Sequence, residues 1–112
     1  MVLKIKIIYI AGSYRAGTEN GLFENIIEAR RAAVKLWKLG YIPIVPHLNS
    51  MFMGGVVSDT TFLKGGIEIL KRCDAIYVLR NWRKSKGACE ELRIAVQNNI
   101  KVIYEKDDIR LL

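Results

Sequence analysis

The sequence has few of the residues that hold metals or cross-link chains. It contains one histidine and two cysteines, Cys73 and Cys89, whose spacing matches no common metal-binding motif. We therefore expect neither a structural zinc site nor a disulfide, and both thiols should be reduced. No motif implies a bound metal or a redox cofactor.

Long apolar runs are also missing. No stretch approaches the roughly 20 residues that a membrane-spanning helix needs. The first residues lead directly into an apparent strand and lack the pattern of a secretory signal, so we expect a cytoplasmic protein. With no repeat, low-complexity segment or linker, residues 1–112 are expected to form one domain.

Acidic residues are outnumbered by basic ones, 11 to 18, which gives a formal net charge of +7. Such an excess favours an anionic partner, either a phosphorylated small molecule or a nucleic acid, although it is also compatible with a role in solubility alone. A nucleic acid is the weaker candidate because no helix-turn-helix, zinc-finger or RNP pattern is present.

Apolar runs alternate with segments of helical spacing. Continuous β-branched or apolar runs predict strands over residues 4–11, 41–45, 74–79 and 101–104. Helical spacing predicts helices over residues 20–39, 67–72 and 85–98. Asn20 is the expected N-cap of the first helix, Gly40 its stop, and Pro43 favours a sheet edge. The order predicts an α/β three-layer sandwich: a Rossmann/flavodoxin-like parallel sheet of four to five strands with helices on both faces. Residues 105–112 are expected to form a tail, with room for one last short element.

Ligands of open parallel sheets bind beyond the carboxyl ends of the strands, where three loops are predicted, over residues 12–17, 46–66 and 80–87. The middle loop is unusually long, apart from a possible helical turn near Asp59, and such loops tend to be functional or mobile. His47 could donate a proton or contact a ligand, or simply be a loop histidine with satisfied hydrogen bonds. Trp82 could stack on a base or anchor its own loop. The apolar residues 51–53 suggest burial against another subunit.

Two adjacent carboxylates, Glu90 and Glu91, lie on the last predicted helix. Glu90 has Lys86 and Arg93 three or four positions away, so it can form salt bridges on a solvated face. The neighbours of Glu91 at those spacings are small or apolar: Gly87, Ala88, Ile94 and Ala95. A carboxylate on that face must be paired, hydrogen-bonded or protonated, because burying an isolated charge is unfavourable. Glu91 is therefore the candidate for chemistry, with a buried ion pair or bonds to backbone amides as the alternative.

Features typical of anion sites flank this helix and the first strand. Ser85 and Gly87 stand at the helix start, where free N–H groups and the helix dipole favour a phosphate. The segment "AGSYRAG", residues 11–17, contributes glycines, the Ser13 hydroxyl and Arg15. Its spacing differs from the GxGxxG dinucleotide fingerprint. It is either a phosphate-binding loop or an ordinary turn that requires glycine.

Four ordered motifs, "IYIAGSYRAG", "GYIPIVPH", "CDAIYVL" and "SKGACEELRIA", span about residues 9–104. Together they resemble the nucleoside deoxyribosyltransferase superfamily, and most of all its small, mostly uncharacterised members. The resemblance implies cleavage of the N-glycosidic bond of a deoxynucleoside or its 5′-monophosphate, through a glutamate nucleophile and a glycosyl-enzyme. It also implies a small-molecule nucleoside or nucleotide as partner, no cofactor, no membrane, and a homo-oligomer, dimer or higher.

The resemblance assigns roles to individual residues. The nucleophile lies four residues after a glycine, here Gly87, which selects Glu91 as the helix-face argument does. Tyr9 would orient its carboxylate. The resemblance implies substrate contacts from Gly12, Ser13, Arg15 and Ser85. The positions of His47, Asp59, Trp82 and Gly87 in the predicted loops add these four as further substrate-binding candidates. The form "GSYRAG" and Ser85 resemble the 2′-deoxynucleoside 5′-phosphate N-hydrolases more than the transferases.

One position departs from the superfamily pattern. Members carry an aspartate eight residues before the aspartate that opens the third strand, and counting back from Asp74 reaches Gly66. Glycosyl transfer through a carboxylate normally needs a second group that protonates the leaving base. Asp59, Glu68 or a residue of a neighbouring subunit could serve. The alternative to an enzyme is a catalytically inactive nucleotide-binding module of the same fold.

Overall fold

A computed structural model of the chain describes residues 5–107, which form one parallel sheet with connecting helices. The strands are β1 (Ile7–Ala11), β2 (Ile42–Ile44), β3 (Ala75–Val78) and β4 (Lys101–Tyr104), all paired in parallel in the order β2-β1-β3-β4. The helices are α1 (Glu19–Lys38), α2 (Pro46–Asn49), α3 (Asp59–Leu70) and α4 (Lys86–Gln97), with a 3₁₀ turn at Trp82–Lys84. The predicted α/β class is confirmed, with four strands in the described part of the chain.

Helices cover both faces of the sheet. One buried cluster joins α1 to alternate strand residues, including Ala29, Leu36, Ile8, Ile10 and Tyr77. The other joins α3 and α4 to the opposite face, including Leu70, Leu92, Ala95, Tyr9 and Ile76. Because successive strand residues point to opposite faces, Tyr9 lies on the α3 and α4 side while its neighbours Ile8 and Ile10 face α1.

The first helix starts slightly earlier than predicted. Thr18, not Asn20, is its N-cap, since the Thr18 side chain accepts a hydrogen bond of 2.9 Å from the Gly21 N–H. The threonine hydroxyl satisfies an N–H that has no partner within the helix. Gly40 stops α1 as predicted and adopts a φ of +91°, which is open to glycine but strained for other residues.

The predicted loop over residues 46–66 is wrong in its extent. It contains α2 and the first two thirds of α3, which starts at Asp59 rather than at residue 67. Ser58 caps α3 by accepting a hydrogen bond of 3.1 Å from the Thr61 N–H. The adjacent glycines Gly65 and Gly66 conceal the helix in the sequence, because glycine is a poor helix former and breaks the apolar period.

The remaining boundaries differ by a few residues. Pro43 lies on the edge strand β2, as predicted. Strand β1 starts at Ile7, and the predicted start at residue 4 lies outside the described residues. Residues 105–107 form a turn, and the rest of the predicted tail, residues 108–112, also lies outside. Within residues 5–107, the helices are too short or too polar to span a bilayer.

Candidate active site

An inner pocket of about 140 Å³ opens beyond the carboxyl end of β1. Its walls come from the loop after β1, from α2, from α3 and from the first turns of α4. A wider outer cleft of about 640 Å³ adjoins it. Both are lined by Tyr14, Ser50, Phe62, Leu63, Ser85 and Gly87. The two cavities therefore lie side by side and share a wall.

Glu91 and Tyr9 line the inner pocket together. Glu91 is only 8% exposed, and the fully buried Tyr9 hydroxyl donates a hydrogen bond to its Oε2. Burial raises the pKa of Glu91 to about 7, and the hydrogen bond from Tyr9 acts in the opposite direction. Burial and the negative charge of Glu91 raise the pKa of Tyr9 far above its usual range. Tyr9 therefore remains a neutral donor, while Glu91 exists in both protonation states near neutral pH.

Glu90 has a different environment although it is the next residue. Its carboxylate accepts hydrogen bonds from Arg93, one of them 3.0 Å from Arg93 Nε. This pairing holds the pKa of Glu90 below its usual range. The helix-face prediction is confirmed: Glu90 pairs at the surface, and Glu91 turns inward against the sheet.

Gly66 lies in α3 directly against this pair and also lines the inner pocket. Asp59 and Glu68, which could replace the superfamily aspartate as proton donor, lie elsewhere. Asp59 lines the outer cleft, and Glu68 lines neither cavity but pairs with Lys71 and Arg72 at the surface. Among the described residues, Glu91 is the only carboxylate that lines the inner pocket.

His47, in α2, is 5% exposed and lines the inner pocket. Its Nε2 lies 3.0 Å from the Ser13 carbonyl oxygen, which can only accept a hydrogen bond, so Nε2 carries the proton. Burial lowers the pKa of His47, which favours the neutral ring. Its Nδ1 is buried without a hydrogen-bond partner among the described residues, so it offers an unused acceptor.

The loop after β1 is tied to the end of β3. The Ser13 N–H donates to Asn81 Oδ1 at 2.9 Å, and the Ser13 hydroxyl donates to the Asn81 carbonyl at 2.7 Å. Gly12 lines the inner pocket, and a Cβ there would lie 2.5 Å from a Leu79 side-chain carbon. Gly12 therefore permits close packing of two loops. Ser13 forms its hydrogen bonds with Asn81 and lines neither cavity.

Three basic side chains, Arg15, Lys84 and Lys86, line the outer cleft. Arg15 forms an ion pair of 2.6 Å with Asp59, which also lines the cleft. Ser85 is the N-cap of α4, where its Oγ accepts a hydrogen bond of 3.0 Å from the Ala88 N–H. The first-turn N–H groups of α4 and these cations make this end of the cleft favourable for an anion.

Trp82 is separated from the other predicted substrate-binding residues. It lines a different cleft of about 450 Å³ beyond β3 and β4, and lies 6.3 Å from Tyr104 between ring centroids. Arg83 stacks on its ring at 5.4 Å. Trp82 is not among the side chains that line the inner pocket or the outer cleft. The structure thus places Trp82 in a cleft separate from the one that contains Glu91.

Comparison with known proteins places this chain in a family. Residues 6–104 match the model of a domain of unknown function, DUF4406. The chain belongs to the DUF4406 family. Among solved structures, the domain is similar to a 2-deoxyribosyltransferase from the psychrotolerant bacterium Bacillus psychrosaccharolyticus, with a TM-score of 0.69 and 20% sequence identity, over 94% of this chain and 77% of that chain. The DUF4406 domain therefore has the fold that the sequence motifs indicated. None of the curated proteins matches it.

Several residues of this DUF4406 domain site were not singled out from the sequence. Tyr14 packs edge-on against His47 with ring centroids 5.8 Å apart, and it lines both cavities. Phe62 and Leu63 of α3 supply apolar walls. Asn81 follows β3 at the carboxyl edge of the sheet, and this position is the signal that could have identified it. Phe62 and Leu63 could not be placed because only a possible helical turn near Asp59 was predicted in this part of α3.

Proposed function

We propose that this DUF4406 protein cleaves the N-glycosidic bond of a nucleoside or its 5′-monophosphate, by hydrolysis or by deoxyribosyl transfer. The observation that carries the proposal is the buried carboxylate of Glu91, which faces an inner pocket and accepts a hydrogen bond from Tyr9. Perturbed, buried carboxylates in a cleft are typical of functional sites. The similar fold of a 2-deoxyribosyltransferase supports the choice of reaction.

In the proposed reaction Glu91 acts as the nucleophile. Tyr9 holds Oε2, which leaves Oε1 to attack the anomeric carbon. A bond forms between Oε1 and this carbon as the bond to the base breaks, and the base leaves with the electron pair and takes up a proton. Water, or a second base, then attacks the same carbon, loses a proton to solvent and releases Glu91 as the free carboxylate. Only the ionised carboxylate can attack, so the reaction requires Glu91 to be deprotonated.

The proton for the leaving base does not come from His47 in this proposal. Its Nε2–H donates to the Ser13 carbonyl, and its neutral Nδ1 is an acceptor. We assign Nδ1 to accept a hydrogen bond from a sugar hydroxyl or a base N–H. The proton then comes from solvent in the outer cleft or from a neighbouring subunit.

We further propose that the outer cleft binds a 5′-phosphate at the start of α4. Arg15, Lys84 and the N-terminus of α4 at Ser85 supply positive charge and N–H donors there. The protein is proposed to act in the cytoplasm as a homo-oligomer. Phe52 and Val56, which are 92% and 74% exposed, supply apolar surface for contact between subunits.

The reaction is tested with a panel of ribo- and deoxynucleosides and their 5′-monophosphates, with and without an acceptor base, using chromatography to measure free base. We expect release of base from at least one substrate, above the rate without protein. If the whole panel gives only the background rate, the proposal is wrong.

A second function is favoured by Gly66, which supplies no acid to the inner pocket. A nucleotide-binding module without turnover would show a rise in Tm with nucleotide but no free base. In that case Glu91→Gln would leave the nucleotide-dependent rise in Tm nearly unchanged. The same panel therefore separates the two functions.

A further inference from the structure

Helix α3 contains two adjacent glycines, Gly65 and Gly66, with different surroundings. Glycine is unfavourable in a helix interior compared with alanine, so each needs a reason to be retained. A Cβ built on Gly65 meets no atom within 4 Å. A Cβ built on Gly66 would lie 2.6 Å from Tyr9 Oη, closer than such atoms approach in proteins.

Neither partner in this close approach moves easily. Tyr9 is 0% exposed, and its backbone is part of β1, which pairs with β2 on one side and with β3 on the other. Its oxygen can shift only with the whole buried ring, because the ring is rigid. Gly66 lies in the middle of α3, which packs against α4. The conflict would therefore be relieved at the hydrogen bond between Tyr9 and Glu91.

We infer that Gly66 is a positioning residue: its lack of a side chain creates the space in which the Tyr9 hydroxyl meets the Glu91 carboxylate. The inference deepens the proposed function, on which its link to activity rests. It follows that, in the geometry of this chain, a Cβ at position 66 and the Tyr9 hydroxyl compete for the same space. Gly66→Asp would thus disrupt the pair rather than supply a missing acid.

The contacts that remain without the tyrosine oxygen are ordinary. The Cβ at position 66 would then lie 3.5 Å from Glu91 Oε2 and 3.8 Å from the ring carbon that carried the hydroxyl, both normal van der Waals distances. A phenylalanine at position 9 should therefore accept alanine at position 66. The effect of Gly66→Ala on stability should therefore depend on whether the Tyr9 hydroxyl oxygen is present.

The test compares Gly66→Ala with the control Gly65→Ala, in the wild-type and Tyr9→Phe backgrounds. Two quantities are measured: Tm, and the pKa of Glu91 from ¹³C NMR of protein labelled at glutamate carboxyls, assigned with Glu91→Gln. The other titratable side chains that line the inner pocket are Tyr9, Tyr14 and His47. Tyr14 and His47 are present in every variant, so a change in the pKa of Glu91 reports on Tyr9 and position 66.

We expect Gly66→Ala to lower Tm and to raise the pKa of Glu91, as Tyr9→Phe does, because the hydrogen bond that favours the carboxylate is lost. Gly65→Ala should leave this pKa unchanged and raise Tm by about 4 °C, since alanine favours the helix and its Cβ is unobstructed. In the Tyr9→Phe background, Gly66→Ala should raise Tm as well. The sign of its effect on Tm thus reverses between backgrounds.

The inference is overturned if Gly66→Ala matches Gly65→Ala in both Tm and the pKa of Glu91. If Gly66→Ala does not fold, the double variant with Tyr9→Phe decides: a folded double variant supports the inference, and an unfolded one contradicts it. None of these readouts uses a substrate. A protein that releases no base, which would disprove the proposed function, can therefore still confirm the role of Gly66.

Discussion

The contact between Tyr9 and Glu91 joins two residues that are 82 positions apart in the chain. Strand alternation turns Tyr9 toward α4, and helical spacing turns Glu91 toward the sheet. The Glu91 carboxylate is thereby buried away from water. Among the described residues, its hydrogen-bond partner is the neutral Tyr9 hydroxyl and not a cation. An ionised carboxylate in this setting opposes folding, so Glu91 is a site where stability is lower than an uncharged side chain would allow.

The first prediction concerns the pH dependence of stability at Glu91. Its pKa is raised from 4.5 to about 7 on folding, so the folded state binds the proton more tightly than the unfolded state. The protonated form therefore contributes stability that is complete below pH 4.5 and is lost as the pH rises to about 7. Glu91→Gln should thus be more stable than wild type at pH 8, by at most roughly 3 kcal/mol, with the difference shrinking toward pH 4.5.

Urea unfolding of both proteins between pH 4.5 and pH 8 measures this difference. Glu90→Gln is the matched control, since Glu90 pairs with Arg93 at the surface and its pKa is lowered rather than raised. It should not gain stability as the pH rises. A Glu91→Gln difference that is constant over this range would show that Glu91 titrates as in the unfolded chain.

At the scale of the element, the strands and α4 could be predicted because burial and periodicity agree in their sequences. Helix α3 was predicted only at its C-terminal end and as a possible turn near Asp59, because Gly65 and Gly66 weaken its helical pattern while packing against α4 maintains the helix. The N-cap of α1 was misplaced by two residues, since Thr18 and Asn20 are both good caps and only the structure distinguishes them. Local propensity is a weak guide wherever packing decides between close alternatives.

The N-cap of α4 leads to the second prediction. Ser85→Ala removes the acceptor for the Ala88 N–H and should lower the free energy of unfolding by about 1 kcal/mol. It should also weaken binding of a nucleoside 5′-monophosphate, because the first turn of α4 is proposed to hold the phosphate. Calorimetric titration with the monophosphate and the parent nucleoside measures this loss.

Ser58→Ala is the matched control for this variant. Ser58 caps α3 in the same way but does not line the outer cleft. Both substitutions should therefore lower stability similarly, and only Ser85→Ala should weaken binding of the monophosphate. Equal monophosphate affinities in the two variants would argue against a phosphate at the start of α4.

At the scale of the whole molecule, the position of the site followed from topology, but the direction of individual side chains did not. The carboxyl ends of parallel strands predicted which loops meet, and those loops do line the two cavities. Trp82 lies in a predicted loop yet faces the other cleft, because the 3₁₀ turn turns it toward Tyr104. A 3₁₀ turn of this length is too short to show a repeating apolar pattern, so the sequence does not reveal which way its side chains point.

The third prediction concerns the net charge of +7 and the basic residues that line the outer cleft. Raising the salt concentration should weaken binding of a 5′-monophosphate but leave binding of the uncharged nucleoside nearly unchanged, because salt screens exposed charges.

Lys84→Gln should weaken monophosphate binding by about threefold at low salt. Lys106→Gln is the control with the same change in net charge, since Lys106 lines the separate cleft that contains Trp82. Equal effects of both substitutions would point to the overall charge rather than to the outer cleft.

The most direct test of the account is the rate of base release by Glu91→Gln and by Glu90→Gln, on the best substrate found for the wild type. Both variants remove one carboxylate from neighbouring positions of α4, but only Glu91 faces the inner pocket. We expect Glu91→Gln to lose at least about 1,000-fold in kcat, as nucleophile variants usually do, while Glu90→Gln stays within about twofold of wild type. Base release by Glu91→Gln at the wild-type rate would contradict the assignment of Glu91 as the nucleophile.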